Sequence, residues 1–378
     1  MKVCFWGNIS GAINDNPVGG GEVQISLLAR TLAKAGHEVV VVDYTISDDY
    51  VTSDGIKVFC IKGYNNGIRI IRTFTHRLKL IYSSLRDQKA DIYYCRVRDF
   101  RHILAYWAAR KVNAKFILGT ASDLDVVSFR IRLKYLYFAG LGGMWWFFSS
   151  FLSELVYPWL LRNSDLVLVQ HEGQKNILLE KNVKSKVLKS LIDLKAMPVI
   201  LNCEKKDFSY VGALDKRKGF AEFFQLIEKA PMHTFKIIGE PRDKLGQKYY
   251  NKLKSFSNVT LCGKLSHTDT LFHIVNSKAL ISTSPMEGFP NIFLEAWSSG
   301  IPVLSLFIDP GDIIEKENLG VVTKGDLEKL FQALNNVGNN TDIVNRGKSY
   351  IERNHVLNEN KIKEIDKLFV DLVQREQI

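Results

Sequence analysis

The sequence contains no C-x-x-C pair. Its five cysteines, Cys4, Cys60, Cys95, Cys203 and Cys262, are scattered singly along 378 residues. That spacing excludes a zinc ribbon and a disulfide framework, and makes a reducing cytoplasm the expected setting. The chain opens on strand-forming residues (Lys2-Val3-Cys4-Phe5-Trp6), so it reads as lacking a signal peptide. No zinc-finger or RNA-recognition signature occurs, and nucleic acid is not an expected partner. No low-complexity tract interrupts the chain. A G-x-G-x-x-G turn directly after the first strand is missing as well. A dozen residues separate Trp6 from Gly19-Gly20-Gly21, which argues against a nicotinamide site.

What is present is an ordinary globular composition, 46% hydrophobic and 24% charged, in a chain long enough for about two domains. The net charge of +11 is unevenly placed. Between positions 57 and 134, seventeen Lys and Arg stand against five Asp and Glu, so the remainder is close to neutral. Such a concentration calls for an anionic partner such as a membrane surface or a lipid-linked diphosphate. Positions 68–85 read as a basic amphipathic helix, with Ile68, Ile71, Phe74, Leu78, Ile81 and Leu85 on one stripe. It is either an ordinary surface helix or one facing lipid phosphates. Positions 135–153 carry no charge and include Trp145-Trp146-Phe147-Phe148, but glycine, serine and tyrosine dilute them. They fit an element dipping into a membrane interface, or a buried interdomain or oligomer surface.

Apolar runs at 3–6, 39–42, 57–61, 91–95, 115–119 and 165–169 alternate with helical patterns, as in a parallel α/β sheet. Arg96, Arg98, Arg101 and His102 cluster just beyond one of these strands. Ligands of open parallel sheets bind past the carboxyl ends of strands, so Arg96 or Arg98 could face an anionic group. Irregular, Lys-rich residues mark a linker at 186–206. A second βα series starts near Tyr210. The expected division is an N-terminal domain over 1–185, a C-terminal domain over 207–355 and a final helix over 356–378 that packs back on the first domain.

The stretch at 279–303 concentrates the chemistry. A strand-like run feeds a turn with Pro285 and Gly288, and a helix is expected from about Asn291 with Pro290 in its first turn. Glu287 lies in the turn and Glu295 in the helix, eight positions apart. A helix N-terminus offers N–H groups and partial positive charge to an anionic or hydroxyl-rich ligand. Carboxylates there accept hydrogen bonds from sugar hydroxyls.

Both glutamates, Gly288-Phe289 and the exit Gly300-Ile301-Pro302-Val303 resemble the glutamate, seven residues, glutamate motif of retaining family-4 glycosyltransferases, the glycosyl transferases group 1. The resemblance is firm over about 205–325 and weaker over 1–170. It implies an α/β fold of GT-B type, two Rossmann-like parallel-sheet domains facing a cleft. It also implies transfer of a sugar from a nucleoside diphosphate to a cell-envelope or lipid-linked glycan, with retention and with no metal or cofactor. In that family Glu287 holds the donor sugar with the backbone of Gly288, Phe289 and Asn291, and Ile292 beside them, while Glu295 binds the ribose. The turn from Gly212 to Gly219 resembles the G-R-L-x-x-x-K-G phosphate site, with Lys218 on the leaving diphosphate. Ala213 replaces the family's arginine, and Arg217 is the residue able to supply a second charge. Gly20 and Gly21 match a loop that approaches the donor diphosphate. Gly239, Gly263 and Leu265 fall where the base is flanked.

Many family members carry a histidine in the loop that follows strand 115–119. Here that loop reads Thr120-Ala121-Ser122-Asp123-Leu124-Asp125, and Asp123 is the candidate to orient or deprotonate the acceptor hydroxyl, with a plain loop or cap aspartate as the alternative. The expected location is cytoplasmic, peripheral on the inner face of the membrane. A donor-binding subunit with a weak site and an epimerase-like enzyme of the same architecture also fit these residues.

Overall fold

β1 (Lys2–Trp6) is buried from Val3 to Trp6 on both faces, as a central parallel strand must be. The structure, a computed structural model, describes residues 1–14, 19–68, 71–129, 131–132, 143–197, 206–337 and 341–374. β1 lies within an eight-stranded sheet that also contains β2 (Glu38–Asp43), β3 (Tyr50–Val51), β4 (Lys57–Cys60), β5 (Ile92–Arg96), β6 (Lys115–Gly119), β7 (Leu166–Val169) and β8 (Ser185–Val187). The order is β3-β4-β2-β1-β5-β6-β7-β8, parallel except for the β3–β4 pair. The register of β1 on β2 runs from Lys2 opposite Glu38 to Trp6 opposite Val42.

The second sheet has six parallel strands in the order β11-β10-β9-β12-β13-β14. They are β9 (Asp207–Val211), β10 (Thr234–Ile238), β11 (Val259–Gly263), β12 (Ala279–Ser282), β13 (Val303–Ser305) and β14 (Gly320–Val322). Two parallel sheets, each flanked by helices, make this an α/β protein, as the sequence leads one to expect.

The chain forms two compact units. One comprises 1–121, 142–191 and 357–378, and the other comprises 122–141 and 192–356. The first unit is built on the helix Gly20–Lys34, which buries Ile25, Leu28, Ala29 and Leu32 at helical spacing against Val3, Phe5, Val39 and Val41. The C-terminal helix Glu359–Gln374 adds Ile365, Phe369 and Leu372 to that same core. Full burial of a side chain such as Phe369 contributes about 1.5–3 kcal/mol. His37 Nε2 meets Asp366 Oδ1 at 2.6 Å and fastens the helix to the sheet side.

In the second unit, the helix Phe220–Lys229 buries Phe220, Phe223, Phe224, Leu226 and Ile227 on Phe208 and Tyr210 of β9. The helix Asn291–Ser298 buries Phe293, Leu294, Ala296 and Trp297. The Trp297 indole N–H donates to the Leu319 carbonyl at 3.0 Å, so this large side chain is buried without an orphaned donor.

Two helical expectations change. The stripe over 68–85 is not one buried face: Ile81 and Leu85 are buried, whereas Ile68, Ile71 and Phe74 are exposed. The reason is local. A π-helical turn at Thr73–Arg77 precedes the helix Leu78–Arg86 and shifts the register of the earlier residues. Pro290 occupies the cap position (φ −65°, ψ 126°) rather than the first turn, and the helix begins at Asn291. Of the uncharged run at 135–153, residues 135–142 lie outside the described residues, as do 198–205 of the expected linker. The rest of the run belongs to the helix Gly143–Asn163. Among the described residues no helix is long and apolar enough to cross a membrane.

Candidate functional site

The carboxyl ends of β9, β10 and β12 build the site in the second unit. β9 ends at Val211, and Gly212 leads into a turn whose Asp215 caps the short helix Lys216–Lys218. Asp215 Oδ1 accepts from the Lys218 N–H at 3.0 Å, while Oδ2 accepts from Arg217 Nη2 at 2.8 Å. The next residue, Gly219, has φ 65°, and a β-carbon there would overlap the Thr283 carbonyl. Only glycine lets this turn lie so close to the end of β12. Thr283 Oγ1 donates to the Gly219 carbonyl at 2.8 Å and lies 3.1 Å from that of Lys218, which also accepts from the Tyr210 hydroxyl at 3.2 Å. Burial pushes the Tyr210 phenol far up, so it remains a donor at any physiological pH.

This clamp aims Lys218 at Glu287. The ammonium and the Glu287 Oε1 carboxylate oxygen are in direct contact, with side chains 33% and 23% exposed. Two residues sixty-nine positions apart therefore share one site. The N–H of Asp123 donates to the Glu287 carbonyl at 3.3 Å, so the loop after β6 meets the Glu287 turn. That loop is preformed: Ser122 and Asp125 form a capping box, with Asp125 Oδ2 accepting from the Ser122 N–H at 3.0 Å. The cap is thus Ser122 with Asp125, not Asp123.

The other sequence candidates take clear positions. Gly288 and Phe289 are buried. The Phe289 ring packs edge-on to Trp297, with centroids 6.3 Å apart, so toward a ligand this residue offers only its backbone. Asn291 opens the helix, and Ile292 packs against the core around Trp297. Gly212 donates to the Ile238 carbonyl at 3.0 Å and Gly239 to that of Gly263 at 2.8 Å, so the tips of β9, β10 and β11 stay joined. A β-carbon on Gly239 would overlap the Gly212 carbonyl. Leu265 is half-buried between β11 and the following helix. Gly20 and Gly21 belong to the first unit, as the first two residues of the helix Gly20–Lys34. Arg217 is not free for a ligand in the way Lys218 is aimed: its Nε and Nη2 both lie on Asp215.

One residue escaped the sequence reading. His267 opens the helix His267–Val275, and its Nε2 lies 3.0 Å from Glu295 Oε1. The only local signal was the capping pattern Ser266-x-x-Asp269, in which Ser266 Oγ accepts from the Asp269 N–H at 3.1 Å. The hydrogen bond to Glu295 raises the His267 pKa above 6.5, against the opposing effect of burial. The folded state therefore holds this proton more tightly than the unfolded state. The pair stabilises fully below the unfolded value and fades as pH rises through the raised pKa. The difference in melting temperature between wild type and His267→Gln is expected to be widest near pH 6 (about half a unit below the unfolded value) and to narrow as pH rises. A gap that ignores pH would show that the pair has no ionic component.

Residues 205–340 match the family model described as Glycosyl transferases group 1, so the second unit carries a domain of that type. The chain is 29% identical over 173 residues to the uncharacterized glycosyltransferase MJ1059 of Methanocaldococcus jannaschii, covering 40% of this chain and 42% of that protein. It thus spans about two fifths of the length of that curated relative. Sucrose-phosphate synthase of Thermosynechococcus elongatus shares the fold with a TM-score of 0.77 at 15% identity, over 99% of this chain and all of that one. Anabaena Alr3699/HepE, solved in complex with UDP and glucose, does so with a TM-score of 0.69 at 13% identity, over 99% of both chains.

Proposed function

We propose that this chain is a retaining glycosyltransferase that moves a sugar from a nucleoside-diphosphate donor to a cell-envelope or lipid-linked glycan. The observation that carries this reading is the contact between the Lys218 ammonium and the Glu287 carboxylate, on a turn locked by Gly219 and Thr283. Cleaving a sugar–phosphate bond builds negative charge on the departing diphosphate. An ammonium beside that oxygen is stabilising where it matters. Glu287 accepts hydrogen bonds from sugar hydroxyls once the diphosphate draws Lys218 away. Glu295, held by His267, receives the ribose diol. Asp123, beside the Glu287 carbonyl, orients the acceptor hydroxyl or takes its proton. The solved likeness with UDP and glucose bound supports a uridine donor among the possibilities.

The acceptor side of the proposal rests on charge and on one helix face. The helix Gly143–Asn163 buries Tyr157, Leu160 and Leu161, yet its opposite face is also apolar. Phe151, Leu155 and Trp159, at spacings of four, are 48%, 61% and 41% exposed. A helix with an exposed apolar stripe opposite its buried one has a second surface to satisfy. Tyr106 meets Trp159 edge-on at 5.0 Å, and Arg110 lies 4.7 Å over the Tyr106 ring, which joins aromatic and basic groups as at a membrane interface. An anionic membrane surface, on the cytoplasmic side, is the partner this face fits. Incubation with UDP-, GDP- and ADP-sugars tests the core proposal. Release of one nucleoside diphosphate supports it, and turnover of none across the panel, with or without phosphatidylglycerol vesicles, opposes it.

A further inference from the structure

Three arginines stand at or just past the carboxyl end of β5, and the structure separates them. Arg98 Nη2 pairs with Glu154 Oε2 at 2.9 Å, and its guanidinium lies 4.6 Å from the centre of the Tyr157 ring. Arg101 grips Asp99 through Nε and Nη2, and its Nη1 donates to the Tyr64 hydroxyl at 2.9 Å. Both are structural. Arg96, the last residue of β5, pairs with no carboxylate among the described residues.

The groups it meets among the described residues are neutral. With the Gln170 amide turned so that donors meet acceptors, the Gln170 oxygen accepts from Arg96 Nη2 at 3.1 Å and from Ser190 Oγ at 3.3 Å. In the same orientation the Gln170 nitrogen donates to the Ala121 carbonyl at 3.3 Å. Gln174, fully buried, accepts from the Thr120 hydroxyl at 2.8 Å and from the Gln170 N–H at 2.9 Å, which fixes this cradle from beneath. The Tyr94 hydroxyl sits buried under Gly119, where a β-carbon would overlap it. Burial raises the Tyr94 pKa, with the charge of Arg96 and a side-chain hydrogen bond to it opposing, so the phenol stays neutral and supplies no counter-charge. Arg96 Nε is itself buried and makes no hydrogen bond of ordinary geometry, the neutral Tyr94 hydroxyl beside it being a weak acceptor. Removing a cationic N–H from water without an acceptor is costly, and such groups are normally paired.

Two further observations mark the spot. Val97, the next residue, has φ 75°, a conformation that a β-branched residue adopts only when its surroundings impose it. The Gly21 β-position is 3.7 Å from Val97 Cγ2, so the positive end of the helix Gly20–Lys34 lies alongside. All these residues fall at the carboxyl edge of one parallel sheet, where such folds bind ligands.

We propose that Arg96, with Gln170 and Ser190, forms a binding site for an anionic oxygen group, phosphate or carboxylate, in the first unit. The guanidinium supplies the charge and the N–H donors not taken by Gln170, and the neutral cradle leaves that charge for the ligand. The use of this site to seat an acidic acceptor rests on the transfer reading above. Binding of the anion does not, and it is measured without donor or turnover.

The test uses the full chain in a Lys218→Ala background, which removes the ammonium of the other site. Calorimetric titration with inorganic phosphate, and separately with acetate, should show saturable binding of at least one. Adding Arg96→Gln should weaken it about tenfold or more, equivalent to roughly 1.4 kcal/mol. Arg96→Lys keeps the charge but not the fork and should weaken it also, which serves if the glutamine variant fails to fold. Binding of phosphate alone assigns a phosphate, and of acetate alone a carboxylate. No saturable binding of either anion, or equal affinity with and without Arg96, overturns the proposal.

Discussion

Replacing Glu287 by alanine is expected to lower kcat/KM for sugar transfer about a thousandfold while leaving a cooperative melt nearly unchanged. Under the proposed function the catalytic loss follows from removing a group that holds the donor sugar, where single preorganised hydrogen-bonding groups are worth about 10²–10³ in rate. The adjacent ammonium enlarges the effect, because Lys218 loses the carboxylate it contacts and its placement loosens. The small effect on stability follows from exposure. Side chains 33% and 23% exposed form a pair that solvent screens, worth about 0–1 kcal/mol. Since 1 kcal/mol moves the melting temperature of a domain of roughly 150–250 residues by about 2–4 °C, the shift here is that much at most. Glu287→Gln, which keeps a hydrogen-bonding group without its charge, should retain part of the activity. A melt that collapses in Glu287→Ala would make the carboxylate a structural one.

Lys218→Ala is expected to weaken binding of the nucleoside diphosphate about 10–100-fold and to lower kcat as well. A hydrogen bond to a charged group contributes about 1.5–3 kcal/mol, which converts to that range. The loss in kcat comes from charge that grows on the diphosphate only as the bond breaks. Arg217→Ala should cost less, since Asp215 already occupies one edge of that guanidinium. Ala213 stands where the resembled family has an arginine, so under the proposed function Lys218 would carry the larger share. Measured KM and kcat for the two single variants check the order. The double variant Lys218→Ala/Glu287→Ala should lose less than the two losses multiplied, because the groups are in contact.

The strand, turn and helix around Glu287 were legible because each is local. An apolar run, turn-forming Pro285 and Gly288, and the apolar spacing Phe293, Leu294, Ala296, Trp297 all fall within twenty residues. The parallel sheets were legible for the same reason, since strands buried on both faces read as continuous runs such as Val39 to Val42. What could not be read is contact across the chain. Thr283 reaches the Gly219 carbonyl over sixty-four positions, and His267 reaches Glu295 over twenty-eight. Neither leaves a periodic trace. Arg217 looked available because its nearest acid, Asp215, stands only two residues away, a spacing that says nothing about a guanidinium folding back. The sequence offered Arg96 and Arg98 as equals. Glu154, fifty-six positions from Arg98, separates them.

The grouping of residues 122–132 with the second unit was equally hidden. In chain order this loop follows β6, a first-unit strand, and reads as part of that domain. The backbone hydrogen bond from Asp123 to Glu287 shows its association. That contact places Asp123 by the Glu287 carbonyl, which its sequence neighbourhood alone did not indicate.

Calorimetric titration of the chain with UDP, GDP and ADP tests the central claim most directly. The account predicts that one of the three binds with a stoichiometry of one, and that Lys218→Ala weakens that binding by about tenfold or more. Absence of binding for all three, or binding that Lys218→Ala leaves unchanged, would contradict it.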